Sequence, residues 1–340
     1  MPRYATYVTS ILALASFGFD ARSSSALSQE NFYSGKTVRI IVGFPPGGGF
    51  DIYARAIARE IGKHISGVPA VIVQNMPGAA SLNSVKFLDV GAPQDGTAIN
   101  TFNSGVILDS LTNPEKIGLK LSEYQFIGSA ARDVPVCYAW HTGGISSLKD
   151  ITADRPYILG NTTRGSTTYI NGSILKNLLG VNLRHVLGFP GSAEQRLAIE
   201  RGEITGDCGS WSSIPVDWVM NKRVRPLVKF STQTAADLPA DVPYVGDLIS
   251  DQSKKDLITF VLASAELGKP YIVSRNVPAD RVKLLRGAFD QTMKDPEFLA
   301  TSRKLRLPIS PVNGEEAEAI IRRIYSAPQE IVRQSLQLLE

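Results

Sequence analysis

KTVRIIVGFPPGGGFD, residues 36–51, is the stretch that decides the fold. The run from Val38 to Val42 is almost continuously β-branched, which is typical of a strand that is buried on both faces of a sheet. The turn 45–49 ends this strand, because proline cannot donate to a sheet and glycine permits positive φ. From Asp51 onward, isoleucines recur four residues apart, so we predict that a helix follows the turn directly.

Strand and helix patterns alternate along the rest of the chain, which is typical of a parallel α/β sheet. A first series contains strands at 36–44, 71–73 and 97–102, and helices that start at 51 and at 81. A second series contains strands at 134–140, 157–160, 183–187 and 204–208, and helices at 168–179 and 193–201. Further helices are predicted at 279–293, 296–303 and 314–339. Two such units in 340 residues predict two lobes with a cleft between them.

The composition is that of an ordinary globular chain and excludes several classes of protein. The 36 basic and 32 acidic side chains are scattered along the chain, so no nucleic-acid partner is expected. The two cysteines are too few for a structural zinc site and form no C-x-x-C pair, and we expect neither a metal nor a cofactor. Cys137 and Cys208 either form a disulfide in an oxidising compartment or remain two free, buried thiols.

The first residues have the pattern of an export signal. Arg3 precedes an apolar stretch at 7–19, and the small residues 24–26 follow it. The alternative is a short buried helix, but no amphipathic pattern continues beyond this stretch. We expect residues 1–26 to be a cleaved signal peptide and the mature chain to be a soluble exported protein, because no later stretch is long and apolar enough to span a membrane.

Two loops that follow neighbouring strands predict an anion-binding site. In 45–51 a glycine-rich turn meets the start of a helix, which places unpaired N–H groups at the positive end of the helix dipole. The loop 77–81 repeats this arrangement, so both sets of N–H groups could converge on one carboxylate. The alternative for the first loop is a simple tight turn. Asp51 opposes a bound anion unless its carboxylate turns aside.

Together these motifs resemble those of the tripartite tricarboxylate transporter receptors, the Bug family of extracytoplasmic solute-binding proteins. The resemblance rests on the run 36–42, P-P-G-G-G-F-D at 45–51, N-M-P-G-A at 75–79, P-Q-D-G-T at 93–97 and, less tightly, G-F-P-G-S at 188–192. It implies an α/β, two-lobed, type II-like periplasmic binding protein with a hinge and an interlobe cleft. It also implies that the protein is no enzyme: it captures a small organic carboxylate by hinge closure and delivers it to membrane transporter subunits.

The resemblance further implies which residues bind the ligand, a mono- or dicarboxylate, aromatic ones included. Phe189-Pro190 departs from the Tyr-Lys that is common in the family. Arg164 either pairs with a second acidic group or is a solvated loop charge, and Trp211 either stacks on an aromatic ligand or belongs to the core. The expected ligand-binding residues are Phe44, Pro46, Gly47, Gly48, Gly49, Pro77, Gly78, Ala79, Ala80, Ser104, Arg164, Gly165, Ser166, Thr167, Phe189 and Asp207.

The order of the patterns also predicts where the lobes begin and end. Residues 36–131 and 231–340 are expected to form lobe 1, residues 132–230 lobe 2, and nothing indicates an oligomer, so a monomer is expected. The alternative function is a secreted α/β hydrolase that acts on a small ester, although the motifs G-x-S-x-G and H-E-x-x-H are absent. No sequence partner marks a histidine as a catalytic base, so structural or solvated roles are expected for His64, His141 and His185.

Overall fold

The computed structural model describes residues 1–2 and 32–340 of the chain. Apart from its first two residues, the predicted signal peptide at 1–26 lies outside the described residues. The described chain folds into two β-sheets with helices on both faces of each. None of the helices in this part of the chain combines the length and the apolar character needed to cross a bilayer.

Strands and helices alternate as the hydrophobic patterns predict. The strands are β1 (Thr37–Val42), β2 (Ala70–Asn75), β3 (Ala98–Thr101), β4 (Gln125–Ser129), β5 (Val136–Trp140), β6 (Tyr157–Asn161), β7 (Leu183–Leu187), β8 (Gly206–Asp207), β9 (Val224–Lys229), β10 (Pro270–Val273) and β11 (Val312–Asn313). The α-helices are α1 (Gly49–Ile61), α2 (Leu82–Val90), α3 (Gly105–Thr112), α4 (Pro114–Ile117), α5 (Thr167–Leu179), α6 (Ser192–Glu200), α7 (Val216–Met220), α8 (Gln252–Leu262), α9 (Ala279–Thr292), α10 (Pro296–Lys304), α11 (Gly314–Tyr325) and α12 (Gln329–Leu339).

The first sheet has the strand order β11-β4-β10-β3-β1-β2. Its strand β1 is parallel to both neighbours, with Val42 opposite Asn75 of β2 and Thr101 of β3. Because the carboxyl ends of parallel strands meet at one edge, the loops after β1, β2 and β3 all emerge on the same side of the sheet. Helices α1, α9 and α10 cover one face, and α2, α3 and α11 cover the other.

The second sheet has the strand order β7-β6-β8-β5-β9. Strand β6 is parallel to β7 and to β8, with Leu159 of β6 opposite Gly206 of β8. Helices α5, α8 and α12 pack on one face, and α6 and α7 on the other. The loops after β6 and β8 therefore share an edge, as the loops of the first sheet do.

The strands of the two sheets come from separate segments of the chain. Strands from 37–129 and 270–313 form the first sheet, and strands from 136–229 form the second. Helices α8 and α12 come from 231–340 but pack into the hydrophobic core of the second sheet, where Leu257 and Leu338 are buried. We call the two sheets with their helices the first and second lobes; the residue bounds given above remain a prediction.

Several elements differ from the sequence patterns. The helical segment predicted at 314–339 is two helices, because Pro328 separates α11 from α12 and lacks the N–H that a continuous helix needs. The short strands β4, β9 and β10 and the helices α3 and α8 were not predicted. These strands span only four to six residues, and strand β10 joins the sheet antiparallel between β3 and β4, far from its neighbours in sequence.

A disulfide bond joins Cys137 of β5 to Cys208, which follows β8. The two strands are antiparallel neighbours, so the two cysteines lie side by side in the core of the second sheet. Of the two alternatives that the sequence leaves open, the structure has the disulfide. Both cysteines belong to the same sheet, so the bond closes a loop within the second lobe and does not cross the cleft.

We predict that replacing both cysteines, Cys137→Ala with Cys208→Ala, lowers the free energy of unfolding by about 4 kcal/mol, the chain-entropy value for a loop of 71 residues. Urea denaturation of the two proteins under non-reducing conditions measures the difference. Alkylation of the unfolded, unreduced wild-type protein is the control. If both thiols alkylate before reduction, the disulfide is absent and the prediction fails.

Candidate functional site

A cavity of about 790 Å³, counting the space at its open mouth, lies between the two sheets. Both lobes contribute to its wall. The lining residues are Phe44, Pro45, Pro46, Gly48, Gly49, Phe50, Asn103, Ser104, Asp133, Thr162, Ser166, Thr167, Thr168, Gly191, Ser192, Ala193, Glu194, Gln195, Asp207, Gly209, Ser210, Ser213, Gly268 and Lys269.

The N-terminus of α1 reaches the cavity from the first lobe. Gly48 is its N-cap residue, and no side chain caps the first turn. The first N–H groups of a helix have no partner within the helix, and they carry the positive end of its dipole. Gly48, Gly49 and Phe50 line the cavity at this point. The backbone therefore offers hydrogen-bond donors to an anion here.

Asp51 is turned away from the cavity and holds the loop in place. Its Oδ2 accepts hydrogen bonds from the Gly47 N–H and from Arg55 Nε, both at 2.9 Å, and its Oδ1 accepts one from Asn75 Nδ2, also at 2.9 Å. Burial raises the pKa of Asp51, but the hydrogen bonds from Arg55, Gly47 and Asn75 more than offset this, so the pKa lies below its ordinary value. The Asp51 carboxylate, which could have repelled a bound anion, is therefore hydrogen-bonded to Gly47, Arg55 and Asn75 instead of facing the cavity.

The N-terminus of α6 faces that of α1 from the second lobe. Gly191 is its N-cap, again without a side-chain cap. The two loops are so close that a Cβ on Gly48 would lie 3.1 Å from Ser192 Oγ, and one on Gly191 would lie 3.2 Å from Pro45 Cδ. Two uncapped helix N-termini, one from each lobe, therefore meet at the cavity.

Hydrogen bonds cross the cleft on both sides of the cavity. Asn103 Oδ1 in the first lobe accepts from Thr167 Oγ1 at 2.8 Å and from the Thr167 N–H at 3.3 Å. Arg196 of α6 donates across the cleft to the carbonyl of Gly47 and, within its own lobe, to that of Ser213, both at 3.2 Å. The lobes are thus in direct contact, and the cleft is in a closed arrangement.

The second predicted loop, 77–81, lies behind the cavity wall. Gly78, Ala79, Ala80 and Ser81 all have positive φ, a run that is strained for the three residues with side chains. Ser81 Oγ accepts a hydrogen bond from the Asn103 N–H at 2.8 Å. The loop thereby supports Asn103, which does line the cavity.

The cavity lining includes half of the residues that the sequence predicts to bind a ligand. Those on the wall are Phe44, Pro46, Gly48, Gly49, Ser104, Ser166, Thr167 and Asp207. Those away from it are Gly47, Pro77, Gly78, Ala79, Ala80, Arg164, Gly165 and Phe189. Arg164 is exposed, and Trp211 lies in the core with its Nε1 donating to Asp237 at 2.9 Å. Whether each of the predicted residues contacts a ligand remains a prediction.

The sequence did not single out three charged residues of the wall: Lys269, Asp133 and Glu194. The Lys269 side chain is only 2% exposed, and its Nζ lies 3.4 Å from Asp133 Oδ2 and 3.3 Å from Ser210 Oγ. Its ammonium also lies 4.9 Å from the centre of the Phe50 ring, within cation–π range. No motif surrounds these residues, because 136 positions separate Asp133 from Lys269 in the chain.

Asp207, at the end of β8, is the one charged wall residue that the sequence predicts. Burial raises its pKa to about 6, although the Cys208 N–H, the Arg196 guanidinium and the Gly209 N–H act in the opposite direction. The Cys208 N–H donates to Asp207 Oδ1 at 2.8 Å. A half-buried carboxylate with a raised pKa in a cleft is a candidate for a functional role.

The histidines lie elsewhere in the fold. His64 Nε2 is 2.9 Å from Asp295 Oδ2, and His185 Nδ1 is 3.1 Å from Asn161 Nδ2. Burial lowers the pKa of His185 to about 4, with further lowering by Lys176 and Arg164. The described cavity wall contains no histidine. The hydroxyls of its serines therefore have no imidazole base beside them.

The architecture is that of the two-lobed periplasmic binding proteins. A solved periplasmic transporter is similar over 90% of this chain and 97% of its own, with 19% identity and a TM-score of 0.71. The periplasmic binding protein BugD is similar over 90% of this chain and 98% of its own, with 19% identity and a TM-score of 0.70. MatC from Rhodopseudomonas palustris, solved with bound malate, is similar over 90% and 99%, with 17% identity and a TM-score of 0.68.

At sequence identities of 17–19%, these similarities show a shared fold. No family model matches the chain, and no curated protein matches it. The site must therefore be interpreted from its own residues.

We predict that Asp207→Asn stabilises the protein at neutral pH. The carboxyl binds its proton more tightly in the folded protein than in the unfolded chain, so losing that proton between about pH 4 and about pH 6 costs folding free energy. Asparagine removes this cost and keeps the acceptor for the Cys208 N–H. The melting temperature should rise by about 2–4 °C at pH 7.5 and by clearly less at pH 4.

Differential scanning fluorimetry across this pH range measures the effect. Asp154→Asn, at an exposed loop position, is the matched control and should leave the profile unchanged. A stability gain for Asp207→Asn that does not depend on pH, or a loss at pH 7.5, would contradict the prediction.

Proposed function

We propose that this protein is an extracytoplasmic solute-binding protein of the Bug type, which captures a small organic carboxylate by hinge closure. One observation carries the proposal: the uncapped N-termini of α1 and α6 belong to different lobes and meet at one cavity. An anion held between them interacts favourably with both helix dipoles. The match to periplasmic binding proteins over 90% of the chain supports the same function.

The mechanism follows from the position of the donors. A hydrogen bond to a charged group contributes about 1.5–3 kcal/mol, so three or four N–H donors approach the roughly 8 kcal/mol of micromolar binding before ordering costs. Only the closed cleft brings both helix termini to the same carboxylate. The ligand therefore favours the closed state by the contacts that it gains there. The hydrogen bonds that Thr167 and Arg196 form across the cleft would then stabilise the closed state further.

The proposal includes a periplasmic location and delivery of the ligand to membrane transporter subunits by the closed monomer. The pattern at 1–26 supports export. MatC, which has this fold, was solved with malate, a small hydroxy-dicarboxylate. The hydrolase alternative would need a base beside a nucleophile. The described cavity wall offers no histidine for that role, and the two charged groups beside Ser210, Lys269 and Asp133, are paired with each other.

We predict that Gly49→Ala weakens carboxylate binding severalfold while the protein still folds. A Cβ at this position would overlap Ser213 Oγ and lie 3.2 Å from Ser213 Cβ across the cleft, so the hydroxyl must rotate away and the facing loops must stay a few tenths of an ångström further apart in the closed state. Alanine is a good helix former, so the first turn of α1 should tolerate it. Calorimetry with the tightest binder from a screen of mono-, di- and aromatic carboxylates measures the change.

Two further variants make this test specific. Gly287→Ala, in α9, is the matched control, because a Cβ there would have open space around it and binding should be unchanged. Gly49→Ala combined with Ser213→Gly removes the collision and should restore most of the affinity. Uncharged amide analogues that bind wild-type protein as tightly as the acids would contradict the proposed mechanism.

A further inference from the structure

The charges on the cavity wall do not match a ligand that carries only negative groups. The wall residues that the structure describes include one lysine and three carboxylates. Asp133 pairs with Lys269, and it also accepts hydrogen bonds from Ser210 Oγ and from the Val134 N–H. This leaves the carboxylates of Asp207 and Glu194 on the second-lobe wall without a basic side chain in salt-bridge contact.

Two buried polar atoms on the same wall lack partners. Glu194 Oε2 and Thr162 Oγ1 are enclosed from solvent, and neither has a hydrogen-bond partner among the described residues. Both residues line the cavity. A buried polar atom without a partner costs about 1–3 kcal/mol, more if it is charged. The ionised Glu194 carboxylate can only accept hydrogen bonds, whereas the Thr162 hydroxyl can accept or donate. The wall therefore lacks a hydrogen-bond donor at Glu194, and Thr162 can also accept from the group that supplies it.

The topology puts these groups at one edge of the second sheet. Asp207 ends β8 and Thr162 follows β6, and these strands are parallel neighbours. Glu194 lies in the first turn of α6, which follows β7, the other neighbour of β6. The three acceptors thus come from adjacent positions around one end of the cavity.

The cation that acts on Asp207 donates its hydrogen bonds to other groups. Arg196 acts on Asp207 electrostatically, but its two terminal nitrogens donate to the carbonyls of Gly47 and Ser213. Its hydrogen bonds therefore hold the closed cleft. The raised pKa of Asp207, about 6, shows that this arginine does not compensate for burial of the carboxylate.

We infer that the ligand is an amino-carboxylate, whose carboxylate lies at the N-termini of α1 and α6 and whose ammonium group is bound by Asp207, Glu194 and Thr162. The inference rests on the proposed function and narrows its substrate class. An ammonium supplies the donors that the second-lobe wall lacks, with charge-assisted hydrogen bonds. A simple dicarboxylate would instead bring its second negative charge to two carboxylates that form no salt bridge with any described residue.

Calorimetry at pH 7.5 with matched ligand pairs tests the inference. Adipate and 6-aminohexanoate have six carbons each and differ in one terminal group, and malate and aspartate differ only in a hydroxyl and an ammonium. In at least one pair, the amino-carboxylate should bind ten or more times as tightly as its partner. The two pairs differ in the position of the ammonium: it is at the far end of the chain from the carboxylate in 6-aminohexanoate and on the neighbouring carbon in aspartate.

Glu194→Gln and Asp207→Asn should abolish this preference. Each variant should reduce affinity for the preferred amino-carboxylate at least tenfold and raise the affinity for its dicarboxylate partner, because one of the two opposing negative charges is removed. Asp154→Asn, outside the cavity, is the matched control and should keep the wild-type ratio. Asp207→Asn is expected to fold stably, so lost binding would not reflect unfolding.

The outcomes distinguish failure of the amino-carboxylate inference from failure of the proposed function. Dicarboxylates that bind as tightly as amino-carboxylates in both pairs, or ratios that both wall variants leave intact, overturn the inference while carboxylate capture stands. No binding by any of the four acids overturns the inference. No binding by any acid of the carboxylate screen, or equal binding by 6-aminohexanamide, an analogue without the carboxylate, overturns the proposed function as well.

Discussion

The orientation of the Asp51 side chain is the constraint on which the rest of the site depends. An aspartate at this point of a helix could fold back over the first turn and occupy the place of a bound anion. The Gly47 N–H, Arg55 and Asn75 use both of its oxygens instead, and Asn75 Nδ2 also donates to the Phe44 carbonyl at 2.9 Å. One network therefore ties the loop after β1 to the end of β2 and leaves the N-terminus of α1 facing the cavity.

Close approach of the two lobes depends on residues without side chains. Gly48, Gly49 and Gly191 lie where the facing loops nearly touch, and a Cβ at any of them would meet an atom of the opposite wall. The same closeness brings Thr167 to Asn103, whose N–H is held by Ser81. The strained loop 78–81 thus contributes to the site through Asn103, even though its own residues lie behind the wall.

The sequence predicted what depends on local patterns. The buried run at 38–42 and the glycines after it predicted the strand, the turn and the uncapped helix, and parallel pairing placed the loops after β1 and β2 at one edge. It could not predict that residues 78–81 all have positive φ, or that this loop lies behind the residues that line the cavity. Nor could it predict Lys269 beside Asp133, because that contact forms where distant segments cross between the sheets, with no spacing to reveal it.

Helices α11 and α12 are consecutive in the chain but pack on different sheets. The carbonyls of Leu338 and Leu339 accept hydrogen bonds from Asn177 and Tyr169 of α5, whose first turn lines the cavity. The short turn at 326–328 therefore connects the two lobes. If the lobes rotate as proposed, a fluorophore attached in this turn would change its surroundings, which makes the turn a position from which to build an optical sensor.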